Sequence, residues 1–281
     1  MLPNFLVIGS AKAGSTALAA YLGSHPQVFV APEKEVHFFD DHFHRGVDWY
    51  SSRFDAARGQ VAVGDATPTY MYMDEAIERM AALLPDAKLI AILRNPVDRA
   101  YSHYWWMRAL DERRSFADAV HDEIQGREEP DPEKYVAAGR YLERLDLVCR
   151  YYARSSLHVV VLEDLRASAE ATFADVCRFL GVDDRVEPSN LGSVHNSAYR
   201  LRWPALRTWM MRMHAWRRLP FDLAGRIDGW NRVPFRPPPM DPSLRAELEA
   251  YYEPYNTALA AWLGRDLSVW DPHPAERVRD A

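Results

Sequence analysis

The chain has 281 residues, 48% of them hydrophobic, which suffices for one large α/β domain with a substantial core. Its formal net charge of −6 gives no global case for nucleic-acid binding, and no run of about 18 apolar residues marks a membrane span. Cys149 and Cys177 are the only cysteines, each inside a helical pattern, so no disulfide framework is expected and a reduced setting fits. The N-terminus shows no charged region leading into an apolar core and a cleavage site, so a soluble, cytoplasmic protein is expected.

The first strand is expected at "FLVIG", Phe5 to Gly9, followed by a turn of small residues and a helix from Ser15 to Leu22. A strand, a tight turn and a helix N-terminus gather backbone N–H groups around one point, where the helix dipole adds positive potential. Such a point attracts phosphate. Gly9 to Thr16 reads "GSAKAGST", with Ser15 where the triphosphatase loop G-x-x-x-x-G-K-[ST] requires lysine and with Lys12 three positions earlier. The displacement argues against a magnesium-dependent triphosphatase and for a shorter anionic group, the bland alternative being a plain turn with a solvated lysine.

"KEVHFF", from Lys34, alternates as an edge strand would, and Asp40 and Asp41 could cap the turn after it. His42 and His44 lack a further cluster at metal spacing and are expected on the surface, so no metal site is expected. A second strand, Val61 to Asp65, and a helix, Asp74 to Leu84, lead to a third strand, Lys88 to Arg94, which delivers Arg94 at its carboxyl end. Asn95 and Pro96 then read as N-cap and first-turn residue of a helix reaching Ala109, with Ser102 two turns in. Ligands of open parallel sheets bind outside the carboxyl ends of strands, so Arg94 is expected on the same edge as Lys12. An arginine fork with a hydroxyl nearby suits phosphate; the alternative pairs Arg94 with Asp98.

A helix from Arg140 to Ala153, a strand from His158 to Leu162 and a helix from Ser168 to Leu180 complete an alternation that argues for an α/β fold with a mainly parallel sheet. From Arg200 to Arg236 the composition shifts to nine arginines, no lysine and two acids, Asp222 and Asp228. Within it, Leu201 to Leu219 spaces Trp203, Leu206, Trp209, Met210, Met213 and Trp216 as one helix face, with Arg207, Arg212, Arg217 and Arg218 elsewhere. This pattern suits a covering helix, a lid over an anionic or sugar acceptor, or a surface touching lipid headgroups or an acidic carrier protein. "RPPPMDP" then stiffens the chain before a last helix, Pro242 to Leu263, and a frayed end from Trp270.

The Gly9–Thr16 loop and "LIAILRNPVDRAYSHYWW", Leu89 to Trp106, together resemble the sulfotransferase superfamily that uses 3′-phosphoadenosine 5′-phosphosulfate (PAPS). The resemblance runs on through "EVHFFD", "GVDWY", "DATPTY" and "GRYLERL", over about residues 4 to 182, and looks most like the branch of heparan sulfate sulfotransferases and their bacterial relatives. It implies an α/β fold with a P-loop-like phosphosulfate loop, and with the composition shift the expected organisation is a single domain over residues 1–281 with a basic, tryptophan-rich helical insertion or lid at about 200–236. It also implies PAPS as donor, 3′-phosphoadenosine 5′-phosphate (PAP) as product and no required metal. Lys12, Ala13, Gly14, Ser15 and Thr16 would meet the phosphosulfate, and Arg94 and Ser102 the 3′-phosphate. Glu35 matches the branch's catalytic base, while His37, Asp40 and Thr67 match positions beside the acceptor. Ala66 departs from relatives that carry lysine there.

The expected chemistry follows. Sulfuryl transfer, like phosphoryl transfer, depends on positioning and charge stabilisation. An acceptor hydroxyl, on a carbohydrate or glycolipid, needs a base: Glu35 with its pKa raised towards neutrality by partial burial, or else His37. Lys12 would neutralise charge on the leaving oxygen. The competing functions are a nucleotide kinase or related phosphotransferase, which would need magnesium and a nucleoside triphosphate, and a noncatalytic polyanion-binding protein using the arginine segment.

Overall fold

Phe5 and Val7 bury on one side of the first strand and Leu6 and Ile8 on the other, the mark of a strand covered on both faces. In the computed structural model, which describes residues 1–188, 190–191, 199–203 and 229–271, five such strands form one sheet. They are β1 (Phe5–Gly9), β2 (Val28–Val30), β3 (Ala62–Ala66), β4 (Lys88–Leu93) and β5 (Leu157–Val161), in the order β2-β3-β1-β4-β5 with every neighbouring pair parallel. The expected α/β architecture is therefore present, with a sheet wholly rather than mainly parallel. β2 escapes the sequence because three residues are too few to show a pattern.

The helices are α1 (Ser15–Gly23), α2 (Val47–Ser52), α3 (Asp74–Leu83), α4 (Pro96–Leu110), α5 (Phe116–Ile124), α6 (Tyr141–Tyr151), α7 (Leu162–Ala167), α8 (Ala169–Leu180) and α9 (Pro242–Leu263). One core lies between the sheet and α1, α7 and α8, built from Phe5, Val7, Ile90 and Ile92 against Leu18, Leu22, Phe173 and Val176. The opposite face, with Leu6, Ile8, Leu89 and Leu93, packs on Ile77 and Met80 of α3 and Leu145 and Val148 of α6. A third cluster joins α4, α5 and α9 through Val97, Tyr104, Phe116, Leu248 and Tyr252. Two short strands, β6 (Tyr199–Leu201) and β7 (Arg232–Pro234), pair antiparallel, and just beyond them the Phe235 ring packs tilted against Trp105 of α4, centroids 5.0 Å apart. The rest of the basic segment, 204–228 with Arg207, Trp209, Arg212, Arg217 and Arg218, lies outside the described residues, as does 272–281.

Both cysteines are free thiols; burial pushes Cys177 up to about 11, which leaves it unreactive at neutral pH. Among the described residues no helix is long and apolar enough to cross a membrane.

The strand order matters most at the carboxyl edge. It sets the loops after β2, β3, β1 and β4 side by side, so the Glu35, Thr67, Lys12 and Arg94 loops are neighbours there although residues far apart in sequence supply them. Asn95 fixes the last of these: its Oδ1 accepts from the N–H groups of Val97 (2.9 Å) and Asp98 (3.2 Å), and its Nδ2 donates to the Trp270 carbonyl at 2.7 Å. Close packing between β1 and β3 requires a glycine at position 64, because a Cβ there would lie 2.2 Å from the Phe5 ring. We expect Gly64→Ala to lower the unfolding free energy by about 1–3 kcal/mol in urea titration. Unchanged stability would show that the Phe5 ring is not held against β3.

Candidate active site

The loop after β1 depends on two left-handed residues, Lys12 at φ 68° and Gly14 at φ 101°. Gly14 is also the N-cap of α1 and meets Leu162 so closely that a Cβ would lie 2.7 Å from its methyl. The cap has no side-chain acceptor, so the dipole end of α1 keeps its positive potential at Ser15 and Thr16. Ala13 is fully buried and its N–H donates to the Ser10 carbonyl at 3.2 Å, which makes it part of the turn's frame.

Arg94 reaches this loop directly, donating from Nη1 to the Lys12 carbonyl at 3.2 Å. Asp98, its candidate partner from sequence, is instead taken by Arg245 of α9 at 2.6 Å. The Nε of Arg94 is buried without a hydrogen-bond partner, and among the described residues no carboxylate forms an ion pair with Lys12 or Arg94. Burial and the Arg94 charge bring Lys12 down to about 8, with Lys34 and Arg232 of β7 acting in the same sense. The Trp106 ring lies 5.6 Å from Lys12 Nζ, and the half-buried His103 beside it is held well below its usual range by desolvation, Arg99 and Lys12, hence neutral. Ser102 sits half-buried on the same helix with no hydrogen-bond partner among the described residues. Glu35 acts on Lys12, and Asp98 and Glu163 on Arg94, only from beyond ion-pair distance, so a cationic pocket with an orphaned guanidinium N–H fits an anion.

The stretch from Lys34 to Asp40 forms no edge strand. It is an irregular loop that carries a chain of charges: Lys34 Nζ lies 3.2 Å from Glu35 Oε1, Glu35 Oε2 lies 3.2 Å from His37 Nε2, and His37 Nδ1 lies 2.8 Å from Asp40 Oδ2. Thr69 Oγ1 closes it, donating to Asp40 Oδ2 at 2.6 Å. Burial alone would lower the His37 pKa, but its hydrogen bonds to Asp40 and Glu35 prevail and push it up to about 10. His37 is therefore an imidazolium at neutral pH, and as placed it cannot be the base. Glu35 also departs from expectation: burial raises its pKa, yet the His37 hydrogen bond and the Lys34 charge outweigh burial and hold the carboxyl below its ordinary value. It stands as a carboxylate.

Beneath this loop Asp65, fully buried at the end of β3, accepts from Thr67 Oγ1 (2.8 Å), Tyr70 OH (2.8 Å) and Tyr50 OH (3.3 Å). Burial raises it to about 6 in spite of those donors. Thr67 and Tyr70 in turn accept from the backbone N–H groups of His37 (3.4 Å) and Phe38 (2.9 Å). Thr67, expected at the acceptor, is thus wholly buried and holds the His37 backbone instead. Asp65, Lys34, Trp106 and Arg232 carry no role in the sequence reading, although each lies in a stretch noted there: "DATPTY", "KEVHFF", Leu89 to Trp106 and the basic segment. His42 and His44 lie partly to fully exposed, their rings 6.2 Å apart, and outside the group of three ligand-type residues that the described part brings together, His37, Asp40 and Asp41. A cavity of about 1040 Å³ opens beside His37 and Asp40.

The chain matches a family model described as a sulfotransferase domain over residues 2–198. It is similar to the crystal structure of a sulfotransferase from Alicyclobacillus acidocaldarius, 28% identical with a TM-score of 0.72, covering 97% of this chain and 100% of that one. It is 27% identical to the mouse (Mus musculus) bifunctional heparan sulfate N-deacetylase/N-sulfotransferase 4 over 99% of this chain and 32% of that protein. Against the mouse bifunctional heparan sulfate N-deacetylase/N-sulfotransferase 1 it is 34% identical over 66% of this chain and 23% of that protein. The chain spans at most about a third of the length of these two relatives.

The raised His37 pKa links folding to pH. Its ion pairs stabilise the folded state fully below the ordinary histidine value of 6.5, and that contribution is lost as pH rises through about 10. We expect the His37 ring, followed by NMR, to remain protonated at pH 8, and Asp40→Asn to lower its pKa and flatten the loss of stability above neutrality. A wild-type ring titrating near 6.5 would contradict the charge chain.

Proposed function

This chain belongs to the sulfotransferase family, and from that premise we propose that it transfers a sulfuryl group from PAPS to a hydroxyl of a carbohydrate or glycolipid. The observation that carries the proposal is the pair of partly buried cations Lys12 and Arg94, neither in ion-pair contact with a carboxylate among the described residues, together with a carboxylate, Glu35, that is ionised and anchored. When bound, the donor supplies a sulfuryl group on a phosphate leaving group. Lys12 and the N-terminal end of α1 at Gly14, Ser15 and Thr16 hold the phosphosulfate end. Arg94 Nε and the Ser102 hydroxyl hold the 3′-phosphate, and Arg232 adds to the attraction.

Lys12 Nζ, with a pKa brought down to about 8, is still mainly protonated at neutral pH and can share its proton with an oxygen gaining charge. Glu35 takes the acceptor's proton. A carboxylate is a weak base towards a resting hydroxyl, so we expect transfer of the proton to accompany attack, when that hydroxyl's acidity rises. His37 holds Glu35 from Nε2 and cannot take the proton while it is an imidazolium. No metal enters this mechanism, and two free thiols agree with a cytoplasmic setting.

The test is transfer from labelled PAPS to a panel of sugars and glycolipids, read by mass shift, with and without a chelator. We expect equal rates in both conditions. Glu35→Gln keeps the side chain's shape without its basicity, and turnover should fall about a hundredfold or more with little change in donor affinity. Normal turnover in that variant, or transfer from magnesium ATP in place of PAPS, would overturn the assignment.

A further inference from the structure

Both oxygens of Glu35 are taken by cations: Oε1 lies 3.2 Å from Lys34 Nζ, and Oε2 lies 3.2 Å from His37 Nε2. A carboxylate engaged at both oxygens is a weakened base, and opening either contact restores it. His37 is not free to leave. Its other ring nitrogen is tied to Asp40, which Thr69 holds in turn, and its backbone N–H rests on the Thr67 hydroxyl. Lys34 is held differently, because Glu35 is the one partner of its Nζ among the described residues.

The loop that carries Lys34 is anchored on both sides of it. Upstream, the Ala31 N–H donates to the Gly64 carbonyl at 2.9 Å; downstream, Val36 and Phe38 are buried, with the Phe38 ring stacked on Tyr50 at 4.2 Å between centroids. The Lys34 side chain is 19% exposed, so it lies along the protein and does not extend into solvent. Its charge is felt in the donor pocket, where it lowers the Lys12 pKa while Glu35 raises it. Lys34 is thus in contact with the base that meets the acceptor and within electrostatic reach of the cation that meets the leaving oxygen. A group in transit between those two oxygens passes between their partners.

We infer that Lys34 is a further catalytic residue, one that leaves Glu35 Oε1 to bind the nonbridging oxygens of the sulfuryl group. The inference rests on the proposed roles of Glu35 and Lys12 and adds a cation between them. A lysine suits the exchange: its charge is compact, with three donors on a flexible four-carbon stem, so it can follow a moving anion where a tethered imidazolium cannot. One movement then has two effects. It places positive charge on the oxygens of the transferring group, and it frees Oε1 to take the acceptor's proton. Glu35 receives that proton as the acceptor oxygen forms the new S–O bond, and the electron pair of the broken S–O bond goes to the donor's phosphate oxygen. Lys34 gains and loses no proton.

The sulfuryl oxygens exist in PAPS and not in PAP, so the two nucleotides separate this role from that of a clamp on Glu35. Calorimetry of each with the full chain, without acceptor or magnesium, compares the parent with Lys34→Met and Lys34→Arg. The ratio of PAPS affinity to PAP affinity should fall at least about tenfold in Lys34→Met and stay within about threefold of the parent in Lys34→Arg. The chain has four lysines, Lys12, Lys34, Lys88 and Lys134, so their side-chain NMR signals can be assigned by substitution. The Lys34 signal should move further with PAPS than with PAP. A parent-like ratio in Lys34→Met, or an equal movement of the Lys34 signal with both nucleotides, overturns the inference and leaves Lys34 as a holder of Glu35. A parent that binds neither nucleotide overturns the donor-site reading as well.

Discussion

Two cations that repel each other, Lys12 and Arg94, are held together by a hydrogen bond from one side chain to the other's backbone, with no carboxylate in ion-pair contact with either. Burying such charges costs free energy unless a partner compensates, and here Glu35, Asp98 and Glu163 compensate only from beyond ion-pair distance. The surroundings maintain the arrangement rather than relieve it. β1 and β4 are neighbours, Asn95 is tied to the Trp270 carbonyl, Tyr141 OH donates to the Arg94 carbonyl at 2.8 Å, and the one acid in reach along α4 is drawn away by Arg245. A fold that keeps unneutralised cations at the carboxyl edge of a parallel sheet is preorganised for an anion, and charge stabilisation in transfer chemistry is drawn from such preorganisation.

Polarity then runs across the site in the order of the strands. At β1 and β4 the potential is positive; at the loop after β2 a carboxylate and an imidazolium nearly balance; beyond them the cavity is acidic. Asp65 underlies the middle of this series. Three hydroxyls converge on it, and two of those hydroxyls also hold the backbone at His37 and Phe38, so one buried carboxyl sets the position of the loop that carries the base.

Much of this was legible locally. Strand, small-residue turn and helix at residues 5–23, and the strand that delivers Arg94 to an Asn-Pro helix start, are patterns contained within short stretches, and the structure places them as read. What the sequence hid was pairing at a distance. Asp98 lies four residues from Arg94 yet binds Arg245, 147 residues further on. The charge state of His37 depends on two carboxylates meeting both ring nitrogens, which alternation along "KEVHFF" cannot show and in fact misstates, since no strand forms there. Glu35 was read from burial alone, whereas its neighbours Lys34 and His37 reverse the effect of burial. Thr67 belongs to a motif whose resemblance implies a place beside the acceptor, whereas its hydroxyl bonds Asp65 and the His37 backbone, a pairing at a distance that the motif does not show.

The central claim is that Arg94 and Lys12 clamp opposite ends of one nucleotide without a metal. Calorimetry of PAP and of adenosine 5′-phosphate, each without magnesium, against the parent and Arg94→Ala, measures the worth of the 3′-phosphate contact as a difference of differences. The account predicts that the parent binds PAP about tenfold to a hundredfold more tightly than adenosine 5′-phosphate, as a charge-assisted contact warrants, and that Arg94→Ala removes most of that advantage. Equal affinity of the parent for the two nucleotides would contradict it.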